Sequence, residues 1–262
     1  LFRRVRASVD FQRTVELDLG GEAVAKVAIN TTRAELTASR VALVAAVTSS
    51  GKVFVAREDV SFKGMGKRKK LSIETTSAEL TAKLPSPVAF VAVHEAANEA
   101  VFATEDGRVV PLLIKSVDSG LEVEEEAPPF NVLDGHPGEK LTAMGFVLGD
   151  SSLVFGTSDG HLETWFGVRE SESAPPVFRR IHVLERGPAA VRGFSSSQKS
   201  KAFLATFDDG TVRAHHMTSE RTFFDSKIGS GGAPVVFFPP KTDGLIGWDL
   251  ADRKSTRLNS SH

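Results

Sequence analysis

The chain has 262 residues, 41% of them hydrophobic and 25% charged, with a formal net charge of −1 and no cysteine. That length suits one large all-β domain or two small ones, and the composition is that of an ordinary folded domain. The missing cysteines exclude disulfides, thiolate metal sites and thiol catalysis. The near-zero charge argues against bulk nucleic-acid binding. Neither feature separates an extracytoplasmic domain from a cytosolic one.

The chain begins at Leu1 rather than Met, so it is expected to be a piece of something longer, with a membrane helix ahead of it. No secretory signal is visible. The longest apolar runs, Val41–Val47 and Pro87–Val93, fall well short of the ~18–20 residues that span a bilayer. A short basic lead, Leu1–Arg6, precedes strand-like text at Val15–Leu19 and Val24–Ile29, with Gly20-Gly21 as the turn between them. Asn30-Thr31-Thr32 fits a glycosylation sequon and reads more simply as a polar loop. Val41–Ala56 is the first clear hairpin, turning at Ser50-Gly51.

Lys63–Lys70 is the one dense basic run. Cations on a loop attract phosphates or lipid headgroups, but a solvated connection between strands is the simpler reading. Gly64 and Gly66 lack the spacing and the Lys-Ser/Thr ending of a phosphate loop. Leu71–Leu84 is polar and receives no element.

A second unit comprises Pro87–His94, Ala100–Thr104 and Arg108–Lys115, turning at Asp106-Gly107. Glu122–Glu126 then reads as an outer strand edge or a linker, since edge charges deter pairing between molecules. The third unit is the clearest: Leu141–Val147, Ser152–Thr157, His161–Val168 and Val177–Leu184, turning at Ser158-Asp159-Gly160. Ala190–Phe194, Lys201–Thr206, Thr211–Met217 and Arg221–Phe224 repeat it around Asp209-Gly210. Pro234–Phe238 and Leu245–Asp249 open a further unit. Asp252–His262 breaks the pattern, resembles the translation of a sequencing adapter, and is expected not to pack.

The turn glycines 51, 107, 160 and 210 lie 56, 53 and 50 residues apart. A hairpin unit recurring at roughly 40–50 residues marks a propeller blade. An Asp-Gly pair between apolar runs implies a turn in which both residues take positive φ. The expected fold is therefore an all-β, β-propeller-like (WD40-like) domain over residues 1–251. It has about five four-stranded units, the last incomplete, and residues 252–262 form a foreign tail.

No catalytic constellation emerges. Gly156-Thr157-Ser158-Asp159-Gly160 matches G-x-S-x-G, but a nucleophile elbow needs a strand-to-helix turn, and here both flanks are strands. The other repeats place Glu105 and Asp208 where Ser158 stands, so the position wants a turn former. His215-His216 are adjacent on a strand and point to opposite faces. His94, His136, His161 and His182 sit in separate units without a local ligand pattern, and a shared axial site has no support in the spacing. Gly135-His136 and Trp248-Asp249 echo WD-repeat dipeptides without recurring in register. Phe155, Leu162, Trp165 and Phe166 read as packing between blades. No catalytic, cofactor-binding or metal-ligating residue is assigned.

Three stretches carry a family resemblance: Gly145–Glu170 (GFVLGDSSLVFGTSDGHLETWFGVRE), Phe178–Leu184 (FRRIHVL) and Lys201–Thr222 (KAFLATFDDGTVRAHHMTSERT). Ser-Asp-Gly, then Trp165-Phe166-x-Val168-Arg169, then Thr218-Ser219-x-Arg221-Thr222, is more specific than a generic blade. This text resembles the long form of the bacterial phosphate ABC transporter permease subunit. In that family a large extracytoplasmic propeller-like region follows the first membrane helix and precedes the permease core. Leu1-Phe2 also looks like the end of the Pro-Leu-Phe that closes the family's first helix. The likeness covers about Lys140–Leu250 and is thin before Pro87; the permease core is absent from the chain.

The resemblance implies an accessory domain at the bacterial inner membrane, facing the periplasm and held by flanking helices. It would act by protein contact rather than catalysis. The implied partners of the parent protein are a second permease subunit, an ATP-binding subunit and a periplasmic phosphate-binding protein. Arg3, Arg4 and Arg6 sit awkwardly beside an outward-facing helix end. No cofactor and no site residue carries over. The alternative is a free-standing soluble propeller, scaffold or sensor, with a propeller enzyme a distant third.

Overall fold

The computed structural model describes residues 17–30, 40–63, 70–80, 84, 87–125, 127–147, 152–172, 174–197, 200–228, 235–237, 245–249 and 254–258. Everything regular in them is β-structure. The first sheet runs β1 (Val24–Ile29), β2 (Arg40–Thr48), β3 (Val53–Lys63) and β4 (Lys70–Glu79), in that order and antiparallel. The second comprises β5 (Phe90–Val93), β6 (Glu99–Ala103), β7 (Arg108–Val117) and β8 (Gly120–Glu125), and β9 (Phe130–Asn131) returns to pair with the start of β7. The third holds β10 (Leu141–Val147), β11 (Ser152–Thr157), β12 (Leu162–Val168) and β13 (Val177–Val183). The fourth holds β14 (Val191–Ser196), β15 (Ala202–Phe207), β16 (Thr211–His216) and β17 (Arg221–Lys227). A three-stranded ladder follows: β18 (Val235–Phe237), β19 (Leu245–Asp249) and β20 (Lys254–Leu258).

The first four of these sheets are the blades of a four-bladed β-propeller. First strands pack on first strands around the ring, β1 on β5, β5 on β10 and β10 on β14. Three of the second strands are buried along their whole length without alternation, because blades cover both of their faces. β6 is EAVFA, β11 SLVFGT and β15 AFLATF, and every residue of the three is buried. The outer strand β17 (RTFFDSK) alternates instead and exposes every second residue. The core is accordingly a series of layers between blades. Leu43, Val55, Phe102 and Ile114 join the first two; Val101, Val109, Leu153 and Phe155 join the second and third; Val154, Leu162, Phe203 and Phe207 join the third and fourth.

The repeating turn differs from the two-residue form expected. Gly51, Gly107, Gly160 and Gly210 all take φ near +85°, yet Asp106, Asp159 and Asp209 do not share it. Each turn spans three residues, as in Thr104, whose N–H donates to Arg108 O while Gly107 N–H donates to Thr104 O. That is a type I turn closed by a left-handed glycine, which needs positive φ at one residue only. Gly160 is further constrained by space, since a Cβ there would lie 2.7 Å from the carbonyl oxygens of Gly187 and Ala189.

Several expectations change. Leu17–Leu19 lie outside any strand; the rest of that segment, the Leu1–Arg6 lead and residues 64–69 of the basic run fall outside the described residues. Lys63 and Lys70 end two paired strands. The polar text after them forms β4, whose weak apolar period reflects its outermost, half-wetted position. Asn30 stands just past β1, outside any strand, but it is buried. Its buried amide donates to Val41 O and Glu95 O and accepts from Leu43 N–H, pinning the first blade to the second and leaving no access for a glycan. Phe155, Leu162 and Trp165 pack between blades, but Phe166 is exposed. Within the tail, Lys254–Leu258 pairs along all of β19, from Asp249↔Lys254 to Leu245↔Leu258. An open strand edge offers unpaired N–H and C=O groups to any extended segment, whatever its side chains. The burial of Leu258 lies outside the described residues.

Candidate functional site

The linkers between blades and the Gly-containing turns occupy one end of the strands, bound by a repeated set of backbone hydrogen bonds. Ser158 N–H donates to Lys140 O, and Asp208 N–H donates to Ala190 O. Gly187 N–H donates to Gly160 O, as Ile228 N–H does to Gly210 O. Each linker is thereby held against a turn, and whatever its side chains carry meets the turn's side chains.

Between the second and third blades this brings together four titratable groups. Linker residues 132–140 form two successive tight turns, with His136 N–H donating to Leu133 O and Glu139 N–H to His136 O. Gly135 and Gly138 supply the positive φ values these turns need. The turns aim His136 and Glu139 at His161, the first residue after Gly160. Glu139 Oε1 lies 3.4 Å from His136 Nδ1 and 2.9 Å from His161 Nδ1. The imidazole rings are 4.6 Å apart between centroids and tilted by 45°. On its far side His136 Nε2 meets Glu163 Oε1 at 2.8 Å.

Glu163 is 3% exposed, yet both its oxygens are satisfied: Arg180 donates to Oε1 at 2.9 Å and the Trp165 indole to Oε2 at 3.2 Å. A buried carboxylate with fewer partners would be costly. Burial pushes the Glu139 carboxyl up, but the Thr157 hydroxyl and His161 outweigh it and hold the group below the usual carboxylate range.

The other histidines stay apart. His94 packs edge-on against Phe146, and His182 Nδ1 meets Glu220 at 2.6 Å. His215 and His216 do diverge: His215 is fully buried, stacked on Phe203 with Nδ1 3.3 Å from Thr222 Oγ1, while His216 turns to Ser219. Burial and the nearby Arg213 charge push the His215 imidazole down to about 4. Ser158 is a structural clip, its hydroxyl accepting from Lys140 N–H at 3.1 Å. Gly156, the other end of that motif, faces Val191, where a Cβ would come within 2.5 Å. An open cleft of about 560 Å³ separates the turn ends of the first two blades, with Lys26, Glu105, Asp106 and Arg108 among its walls.

Sequence reasoning named His136 and His161 but assigned them to different units, and it passed over Glu139 and Glu163. The available signal was positional: His136 stands in a linker, His161 directly follows a turn glycine, and in a propeller those two segments touch.

These features define the class: a β-propeller of four-stranded antiparallel blades with a histidine–carboxylate cluster between two of them. Compared with known proteins, the chain matches no family model and no curated sequence.

Proposed function

We propose that this chain is an accessory extracytoplasmic domain of a bacterial inner-membrane phosphate ABC transporter permease. It would face the periplasm and act by protein contact rather than by chemistry. The observation that carries the reading is the text of Gly145–Thr222, which occupies the third and fourth blades. Of its distinctive residues, Trp165 and Phe166 lie on β12, and Val168-Arg169 and Thr218–Thr222 sit where a third strand passes to a fourth. Blades of this kind present rigid loops on two broad faces, which suits the capture or orientation of the phosphate-binding protein, with the second permease subunit and the ATP-binding subunit reached through the parent protein.

In this reading the domain has about five WD40-like units, β18 and β19 belong to an incomplete fifth, and β20 is contributed by the tail. Exposure on β1 supports an open ring: Val24, Val27 and Ile29 are 52%, 65% and 56% exposed, a surface that a further blade would cover.

The test is the complete reading frame, obtained by sequencing through both ends of the locus. A hydrophobic run of about 20 residues is expected to end near Leu1, and several more should follow within roughly a hundred residues of Leu250. The encoded protein should then fractionate with the inner membrane and co-purify with the phosphate-binding protein. A complete frame lacking both sets of hydrophobic runs leaves only a free-standing scaffold.

A further inference from the structure

We propose that His136, Glu139 and His161 form a site for one divalent cation of the zinc type, bound by the two Nδ1 atoms and the Glu139 carboxylate. A remaining coordination position would face solvent. Donor chemistry comes first. Two imidazoles and one carboxylate suit zinc and its neighbours in the transition series, whereas calcium and magnesium favour all-oxygen shells.

The geometry comes next. Zn–N bonds of about 2.0–2.1 Å in a tetrahedral shell set neighbouring ligand atoms roughly 3.3 Å apart. Glu139 Oε1 is 3.4 Å and 2.9 Å from the two Nδ1 atoms, and the three ligand groups fall within 4.8 Å of one another. Glu139 Oε1 needs a shift of only about 0.4 Å relative to the imidazole nitrogens to reach that spacing, and the turns that carry His136, Glu139 and His161 are held by their own hydrogen bonds.

A separate observation lies on the far side of His136. A metal-bound histidine nearly always gives its other ring N–H to a carboxylate or carbonyl, which fixes the tautomer and strengthens the ligand. His136 meets that condition: Nδ1 faces Glu139, and Nε2 contacts the buried Glu163, itself oriented by Arg180 and Trp165. The exposed His182–Glu220 pair has a carboxylate on Nδ1 but shows no such convergence. An entry path exists, since the His161 side chain is 24% exposed. The ion would tie the linker between the second and third blades to the turn of the third. The inference stands independently of the transporter reading.

The experiment uses the full 262-residue chain, stripped with chelator and titrated with zinc chloride by calorimetry, with cobalt(II) as a spectroscopic substitute. One zinc per chain is expected. The cobalt complex should show the intense visible bands of four- or five-coordination rather than the pale octahedral spectrum. His161→Asn and Glu139→Gln should each weaken zinc by at least about 100-fold, Glu163→Gln by about 10–100-fold, and His182→Asn not at all. Zinc should raise the melting temperature of the wild type and leave that of His161→Asn unmoved. His161 is the most exposed of the ligands, so that variant carries the test if Glu139→Gln does not fold. Binding well below one zinc per chain, or binding that survives His161→Asn, overturns the proposal.

Discussion

The third and fourth blades share one backbone and use it differently. Their first pairs slip at the same place, between Leu141 and Ala143 in one and Val191 and Gly193 in the other. Their outer pairs slip together too, at Thr164/Trp165 and Ala214/His215. Matched this way, His161 answers Thr211, Glu163 answers Arg213, Trp165 answers His215, and Thr157 answers Phe207. The charge at one inward position is thus reversed. Glu163 is paired with Arg180 and contacts His136 Nε2, while Arg213 is paired with Asp225 at 2.8 Å and donates to the Arg186 carbonyl. Strand register and turn geometry depend on backbone hydrogen bonds, so they repeat. The side chains at fixed positions are free to diverge, provided each buried charge keeps its partners.

The comparison breaks most severely at Phe207. Its ring is fully buried and lies where a Cβ on Gly187 would come within 1.9 Å. Phe207→Ala is expected to cost about 3–5 kcal/mol by chemical denaturation, against about 1–2 kcal/mol for Thr157→Ala, which removes one hydroxyl and one methyl group. Similar losses for the two would mean that the equivalent positions are not packed differently.

Next comes the turn between β11 and β12. Gly160→Ala combines positive φ with a 2.7 Å approach to two carbonyls and should cost roughly 2–4 kcal/mol. Gly20→Ala, at φ +63° with nothing within 4 Å, should cost only about 1 kcal/mol. Equal melting temperatures for these variants would remove the steric part of the argument.

The pH dependence separates Trp165 from its counterpart. His215 is buried neutral, with its folded pKa at about 4 and its ordinary value at 6.5. The unfolded chain therefore takes up the proton first. The stability linked to His215 is complete above pH 6.5 and is lost as the pH falls toward 4, by roughly 2–3 kcal/mol. His215→Phe should flatten that slope in unfolding measurements across the same window, because it removes the titrating group. An unchanged slope would place the titration elsewhere.

The smallest effect is expected at the rim. Arg186 pairs with Asp159 at 3.2 Å while both are more than half exposed, so Arg186→Ala should change stability by no more than about 0.5 kcal/mol. A loss several times larger would make the linker–turn contact depend on that side chain as well as on Gly187 N–H.

Much of the fold was legible because blade covering leaves a written trace. Second strands such as SLVFGT and AFLATF are mostly apolar without alternation, and one glycine per repeat must hold positive φ. The propeller and the boundaries of most strands follow from those local facts, as does the reading of Ser158 as a turn residue. Tertiary structure alone decided the rest. β4 is too polar to stand out, and β9 is two residues long, stabilised by a partner, β7, that lies far back in the chain. Asn30 does stand outside β1, and only its distant carbonyl partners bury it. The pairing of Lys254–Leu258 depends on an open edge of β19 rather than on its own residues. Above all, His136 and Glu139 meet His161 and Glu163 only because the linker is clamped over the turn of the next blade. Contacts between segments some 25 residues apart have no local period to announce them; they are set by how the blades stack.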